Sequence, residues 1–379
     1  MKQAPWAYFA PSDEARLEDA LHAWQSERPQ SGLLAFCSEH SIGMVAPLQR
    51  LANRLAMPLA GGIAPGLIVA GELMREGLVL AALDAAIPQA IVPLPRDGGA
   101  TADSAVAELA DFAEKHAGGG EDTLLLFFDA LTPDIASLLD RLYLLLGNRV
   151  RYAGSNLGSE SFRAGPCVFD NTRFVDGAVL ALLLPDHPGA ALAHRYCKTT
   201  PLRTATSVSG NRIDFIDGRP AFEVYRELVA EHHGVVLDRE NFYRHAVHFP
   251  LALHLAEGEP LVRIAVAVSD AGNLVCIGEI PEAALLSVVE AASPDSRETA
   301  DEVATRLRAS APRSALVFYC AGRLLHHGTA GAMGELRALQ QAIAPATLFG
   351  ALSLGEIGNY RAQGYPRFHN AAIAALPWY

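Results

Sequence analysis

The sequence predicts an α/β protein of two layered domains, built from repeated strand-helix-strand units, with a ligand cleft between the domains. Three observations carry this. Leu33–Phe36, Leu124–Phe127 and Ala315–Phe318 are apolar runs of buried-strand type. Each is followed by a helical stretch and then a short apolar segment that ends in glycine, at Gly61, Gly154 and Gly350. A second apolar strand then closes each unit, at Leu78–Leu83, Ala178–Leu184 and Ala371–Leu376. One β-α-β-β-like unit used three times reads as growth by duplication. The runs are continuous rather than alternating, which predicts sheets covered by helices on both faces.

The elements follow in order. Residues 1–29 form a lead-in whose amphipathic helix, 12–27, has Ala15, Leu17, Ala20, Leu21 and Trp24 as its apolar positions and Ser12 or Asp13 as cap. Pro29-Gln30-Ser31-Gly32 turns into the first strand. Residues 43–56 read as a helix with Pro47 in its first turn or kinking it, and 103–116 as another, stopped by Gly118-Gly119-Gly120. The second unit's helix is predicted from Thr132-Pro133, with Thr132 as N-cap, to Gly147-Asn148. Cys167–Asp170 and Phe174–Leu184 read as a hairpin-like pair. Residues 185–220 are rich in Pro and Gly and form a crossover between a first domain, 30–217, and a second, 218–379. A helix over 220–232, a hairpin around Asp270-Ala271-Gly272-Asn273 and a helix from Asp295 to Ala309 lead into the third unit.

Composition excludes several function classes. At 379 residues, half of them hydrophobic, the chain is too long for one ordinary core. Its formal charge is −12, from 42 acidic and 30 basic residues, which argues against a nucleic-acid partner. Arg195, Lys198 and Arg203 are the nearest thing to a basic cluster and suit one small anion. The five cysteines lie far apart without a Cys-x-x-Cys, as buried thiols in a reducing cytosol do. No signal peptide is apparent, and no apolar tract approaches the ~20 residues of a membrane span. A cytoplasmic protein without membrane insertion is therefore expected, open to self-association as a homo-oligomer.

The phosphate-binding, dinucleotide-binding, nucleophile-elbow and zinc-protease motifs are absent. What differs between the three copies then marks function. In the third copy these residues are Cys320-Ala321-Gly322-Arg323, Gly355-Glu356-Ile357 and His369-Asn370. Cys320, followed by His326 and His327, offers a thiol nucleophile with a base, or an inert buried thiol. His245, His248 and His254 surround Phe249-Pro250, where the proline breaks any shared metal-binding face. His232-His233 and His326-His327 read as solvated.

The third unit resembles the C-terminal half of the FIST family of prokaryotic signal-transduction sensors. Phe318-Tyr319-Cys320-Ala321-Gly322-Arg323, Gly350, Gly355-Glu356-Ile357 and His369-Asn370 carry that resemblance. Leu33–Ser38, Gly61-Gly62 through Gly66, Leu124–Asp129, Gly154 and Gly177 resemble the N-terminal half. Ser209-Gly210-Asn211, Asp217-Gly218-Arg219-Pro220-Ala221 and Tyr225 resemble the junction between the halves. The loop Gly62-Ile63-Ala64-Pro65-Gly66 departs from the family's pattern by being apolar, where Cys, Ser or Thr is usual.

The resemblance implies sensing rather than turnover, so the chain is not expected to be an enzyme. The ligand implied is an amino acid or other small molecule. Free-standing members of the family bind b-type haem, sense nitric oxide and act on a partner histidine kinase in two-component or cyclic-di-GMP signalling. A chain without an attached kinase, cyclase or receiver region fits that branch. Arg323, Glu356 and Asn370, with Cys320, then form a ligand site. Arg323 holds an anionic group or is aligned by Glu356; alternatively the pair is a buried structural bridge. His194, within Ala193-His194-Arg195-Tyr196-Cys197-Lys198, is the candidate axial haem ligand and so the metal-binding residue, with Tyr196 beside it and Arg195, Lys198 or Arg203 meeting the propionates. Tyr196, Cys197 and His187 are rival ligands. Three functions remain open: a haem sensor of nitric oxide, a haem-free sensor of a small organic acid at Arg323, and a cysteine-dependent enzyme at Cys320.

Overall fold

Phe36, Phe127 and Phe318 occupy the same position in the three repeated strands, and their rings meet edge to face with centroids 5.5, 5.5 and 5.6 Å apart. They mark the axis of a pseudo-threefold body. The structure, a computed structural model, describes residues 5–83, 87–94, 100–119, 121–256, 258–291, 297–359 and 364–379.

Each unit builds one open six-stranded sheet by the same plan. The first strands, Leu33–Ser38, Thr123–Asp129 and Ser314–Cys320, pair in parallel with Leu59–Ala64, Arg151–Leu157 and Thr347–Ser353. On their other side they pair antiparallel with Leu78–Ala82, Ala178–Leu184 and Ile373–Trp378. An edge strand flanks each closing strand: Trp6–Phe9, Gln89–Pro93 and Ala191–Ala193. A helix precedes each first strand: Glu14–Glu27, Ala100–His116 and Glu298–Arg308. The helix expected from Asp295 is described only from 297 onward; Asp295 and Ser296 lie outside the described residues.

Alternation along the buried strands divides their side chains between two cores. Leu125 and Phe127 face the common centre, together with Phe36, Leu316 and Phe318. Leu124, Leu126 and Phe128 face the helices 100–116 and 135–146 instead. The continuous apolar runs therefore do mean burial on both faces. Helices cover only the outer face, however, and the sheets of the other two units cover the inner one.

Each unit also lends a hairpin to a neighbour. Residues 67–74 of the first unit extend the third unit's sheet, with Ile68 opposite Gly350. Residues 168–175 of the second extend the first, with Phe169 opposite Gly61. Glu356–Gly358 and Arg367–His369 of the third extend the second, with Ile357 opposite Gly154. The expected hairpin pair 167–184 is thus split: Val168–Asp170 and Phe174–Val175 go to the first sheet, whereas Ala178–Leu184 closes its own. The three glycines stand where a strand, its parallel neighbour and a visiting hairpin meet.

The remaining strands form a nine-stranded sheet from 196 to 291, with its own core around Tyr225, Phe242 and Leu274. It is inserted between the edge strand and the helix of the third unit. The boundary at 217/218 in sequence falls in the turn between Arg212–Ile216 and Arg219–Pro220. Strand pairing crosses that boundary, since hairpins 67–74 and 356–369 link residues on either side of it.

Candidate functional site

His194 ends the third unit's edge strand, and Arg195, at a left-handed φ of 54°, turns the chain into the nine-stranded sheet. The site predicted from sequence gathers around this handover.

Arg323 is 1% exposed, and all five of its N–H donors are used. Nε donates to Glu335 Oε2 at 2.7 Å, and Nη2 to Glu335 Oε1 at 2.6 Å and Thr299 Oγ at 2.9 Å. Nη1 donates to the carbonyls of His194 at 2.9 Å and Ala371 at 3.0 Å. Burial opposes the charge on both Glu335 and Arg323, but their attraction outweighs it: the Glu335 carboxyl is held below the usual range and Arg323 stays protonated. The partner of Arg323 is thus Glu335 rather than Glu356, and no donor is left for an anionic ligand. Glu335 also accepts from the Tyr319 hydroxyl at 2.9 Å.

Glu356 begins the lent hairpin, where the other two hairpins carry Leu67 and Val168 by register. It is fully buried and accepts from Ser353 Oγ at 2.5 Å and from the Ala372 N–H at 3.2 Å. Burial pushes its carboxyl up to about 8, against the pull of Ser353, Ala372, Cys320 and Arg323. The folded state therefore keeps a proton that the unfolded chain releases above its ordinary value of 4.5, and stability falls as pH rises through about 8. Buried His187 and His194 and half-buried His326 and His327 carry the opposite sign. Burial lowers each to about 4, so the stability they confer is lost as pH falls from 6.5 toward 4. Between pH 6.5 and 8 the Glu356 proton by itself lowers stability by roughly 2 kcal/mol, while these histidines and His369 raise it as the unfolded chain releases their protons. Urea unfolding of the wild type and of Glu356→Gln at both pH values isolates this share: from pH 6.5 to 8 the variant should gain roughly 2 kcal/mol relative to the wild type, and parallel changes would reassign it.

Cys320 ends its strand at the position that Asp129 holds in the second unit. Its Sγ accepts the Ala371 N–H at 3.1 Å, just as Asp129 Oδ2 accepts the equivalent Gly177 N–H at 2.7 Å. Burial and nearby Glu356 raise the thiol well above its ordinary value. A thiol held protonated and used as a turn acceptor is a poor nucleophile, which removes the basis for a cysteine enzyme.

Asn370 donates from Nδ2 to the His369 carbonyl at 3.1 Å, while its Oδ1 is buried without a partner. Asn370, Cys320 and Gly322 line a cleft of about 60 Å³ with Ile264, Tyr243 and Phe162. The cleft separates the third unit from the nine-stranded sheet and is mostly apolar. It has room for a molecule of only a few atoms. The contact around it is close: a Cβ on Gly322 would come within 2.3 Å of Ile264 Cδ1.

The proposed haem residues do not meet the requirement for an axial ligand. His194 is 2% exposed; its Nδ1 accepts the Tyr196 N–H at 2.8 Å, and its Nε2 lies 3.0 Å from the Pro260 carbonyl. A carbonyl only accepts, so Nε2 carries the proton and neither nitrogen has a lone pair for iron. His187 is spent in the same way: Nε2 is 3.0 Å from the Pro377 carbonyl, and Nδ1 takes the Gly189 N–H at 3.1 Å. Tyr196 is buried under the Arg323 guanidinium, 5.8 Å from its ring centroid, and Cys197 is exposed. Arg195 pairs with Glu302 at 2.6 Å, and Lys198 is exposed on the strand Tyr196–Lys198. The residues present thus do not fit a haem held by His194.

Sequence reasoning missed Glu335, Thr299 and Ser353. It also placed His326 and His327 in solvent. Both are half-buried, His326 Nδ1 lies 3.1 Å from His248 Nδ1, and neither ring nitrogen of His327 has a partner. Among the described residues no three His, Cys, Asp or Glu side chains are placed to hold a metal ion.

Residues 32–219 match the FIST N domain and residues 221–359 the FIST C domain. The chain is a FIST domain protein. No curated protein matches it. FIST domains are signal-transduction sensor domains, so this FIST protein is a sensor, a role that points to a small-molecule ligand and signalling partners. No described helix is long and apolar enough to cross a membrane.

Proposed function

We propose that this FIST protein senses a small, largely apolar molecule carrying one N–H or O–H donor, bound in the cleft between the third unit and the nine-stranded sheet. The observation behind this reading is the unpartnered Oδ1 of Asn370 on the wall of an apolar cleft. A buried acceptor without a partner costs about 1–3 kcal/mol, which a ligand donor recovers on binding. The cleft joins two bodies with separate cores, so an occupant that prefers one spacing shifts their relation. A cytoplasmic partner histidine kinase that prefers the same spacing would read that shift. The amino-acid or organic-acid ligand at Arg323 is set aside here, because that guanidinium has no free donor.

Propionamide and 2-butanone are near-isosteric, and only the amide has a donor. We expect propionamide to raise the melting temperature saturably and 2-butanone to do so less. In Asn370→Leu the difference should vanish while the fold persists by circular dichroism. A difference that survives in this variant, or no response to either probe, would refute the site. The haem-bound, nitric-oxide-sensing form of the reading rests on the family resemblance. A Soret band after haem supplementation that is lost in His194→Ala would support it against the hydrogen bonds His194 makes here.

A further inference from the structure

A second cavity, of about 320 Å³, opens between the start of the helix Ile135–Leu146 and the nine-stranded sheet. It is distinct from the Asn370 cleft, although Phe162 and Ile277 border both. Thr132 was expected to cap this helix, but the helix begins three residues later. The N–H groups of Ala136 and Ser137 are taken instead by Glu279, reaching across from the other sheet at 2.9 and 2.8 Å. Thr132 Oγ is left buried without a partner. So is Oδ1 of Asn156, a residue only 2% exposed. Both residues line the cavity, as do Asp134, Glu279 and Phe368.

The wall is thus rich in acceptors and carries two carboxyl groups. Among the described residues no Lys, Arg or His lines it. Asp134 sits at a left-handed φ of 56°, and both burial and the charge of Glu279 raise its pKa. Arg141, whose charge also acts on Asp134, is committed to Asp103 at 2.7 Å. What would relieve this arrangement is a ligand with several donors and a positive charge.

We propose that this cavity binds a small organic cation with a primary ammonium group. The ammonium donates to Asn156 Oδ1 and Thr132 Oγ, and its charge lies between Asp134 and Glu279. Its carbon chain lies against Phe162 and Phe368, where an aromatic face also favours a cation. Because Phe162 borders both cavities, occupancy here bears on the first cleft as well. The proposal does not depend on what binds at Asn370.

The test compares n-butylammonium chloride with 1-butanol and sodium butyrate, at matched ionic strength, by calorimetric titration and melting of the full chain. Butylammonium should bind saturably and raise the melting temperature, and the other two should not. Asp134→Asn changes an exposed side chain and is expected to fold normally; it should weaken binding at least tenfold, as should Asn156→Leu. Asn370→Leu should leave butylammonium binding unchanged, which separates this site from the first. No binding of butylammonium, equal binding of butyrate or butanol, or unchanged affinity in Asp134→Asn would overturn the proposal.

Discussion

Arg323→Met should destabilise the protein by about 3–5 kcal/mol, because it leaves the Glu335 carboxylate buried without its counter-charge. It also strips the donor from the carbonyls of His194 and Ala371, at the point where the chain leaves the third unit. Glu335→Leu should cost about as much, by stranding the guanidinium. The double variant Arg323→Met with Glu335→Leu should lose far less than the sum, since a buried ion pair replaced by apolar side chains is often near neutral. Urea unfolding of the four proteins gives the coupling directly. Glu356→Gln should show little coupling to Arg323→Met, which separates this pairing from the one expected from sequence. If Arg323 instead served a ligand, Arg323→Met would melt normally and lose only the response to ligand.

Gly350→Ala should cost roughly 3 kcal/mol or more, through backbone collision rather than lost contacts. At Gly350 the φ is 152°, and a Cβ would come within 2.0 Å of the Val317 carbonyl oxygen. The carbonyl belongs to the parallel partner strand, so it cannot retreat without breaking the sheet. Gly154→Ala should behave alike, with its Cβ 1.8 Å from the Leu126 carbonyl at the equivalent crossing. Gly334→Ala is the control. Nothing lies within 4 Å of its Cβ, and alanine is the better helix former, so it should be neutral or slightly stabilising. Equal effects at positions 334 and 350 would mean that helix propensity, not the three-way crossing, sets the cost.

These two results concern features of very different legibility. The repeated glycines at positions 61, 154 and 350 were visible in sequence, because the same crossing recurs three times and imposes the same residue each time. The hairpins that pass through those crossings were not. A strand of three residues such as Leu67–Val69 leaves almost no periodic signal, and its destination is set by packing around the threefold axis.

The third unit could be read as the chemically distinct copy, and Asn370 lies in one of the stretches that set it apart. The partner of Arg323 was not. In a straight helix Glu335 would lie about 18 Å along the axis from Arg323. The helix Ala321–Ala342 breaks at Gly328, with φ 68° and ψ 168°, and this brings the two side chains together. Gly328 was the only trace of that break in the sequence. Arg323 and Glu356 share one unit and opposite charges, which made the wrong pairing the natural reading. His194 was expected in a crossover between two domains; it lies where the chain passes from the third unit's edge strand into the nine-stranded sheet. Its role could not be read there, because both of its ring nitrogens are claimed by backbone groups, one of them as distant in sequence as Pro260.

The central claim is that the cleft between the third unit and the nine-stranded sheet is the sensing site. Amide hydrogen exchange on the full chain, with and without saturating propionamide, tests it most directly. The account predicts slower exchange confined to 320–323, 369–371 and 264–266, the segments that face the cleft, and no such change in Asn370→Leu. Protection that appears elsewhere while these segments are unaltered, or that persists at these segments in Asn370→Leu, would contradict it.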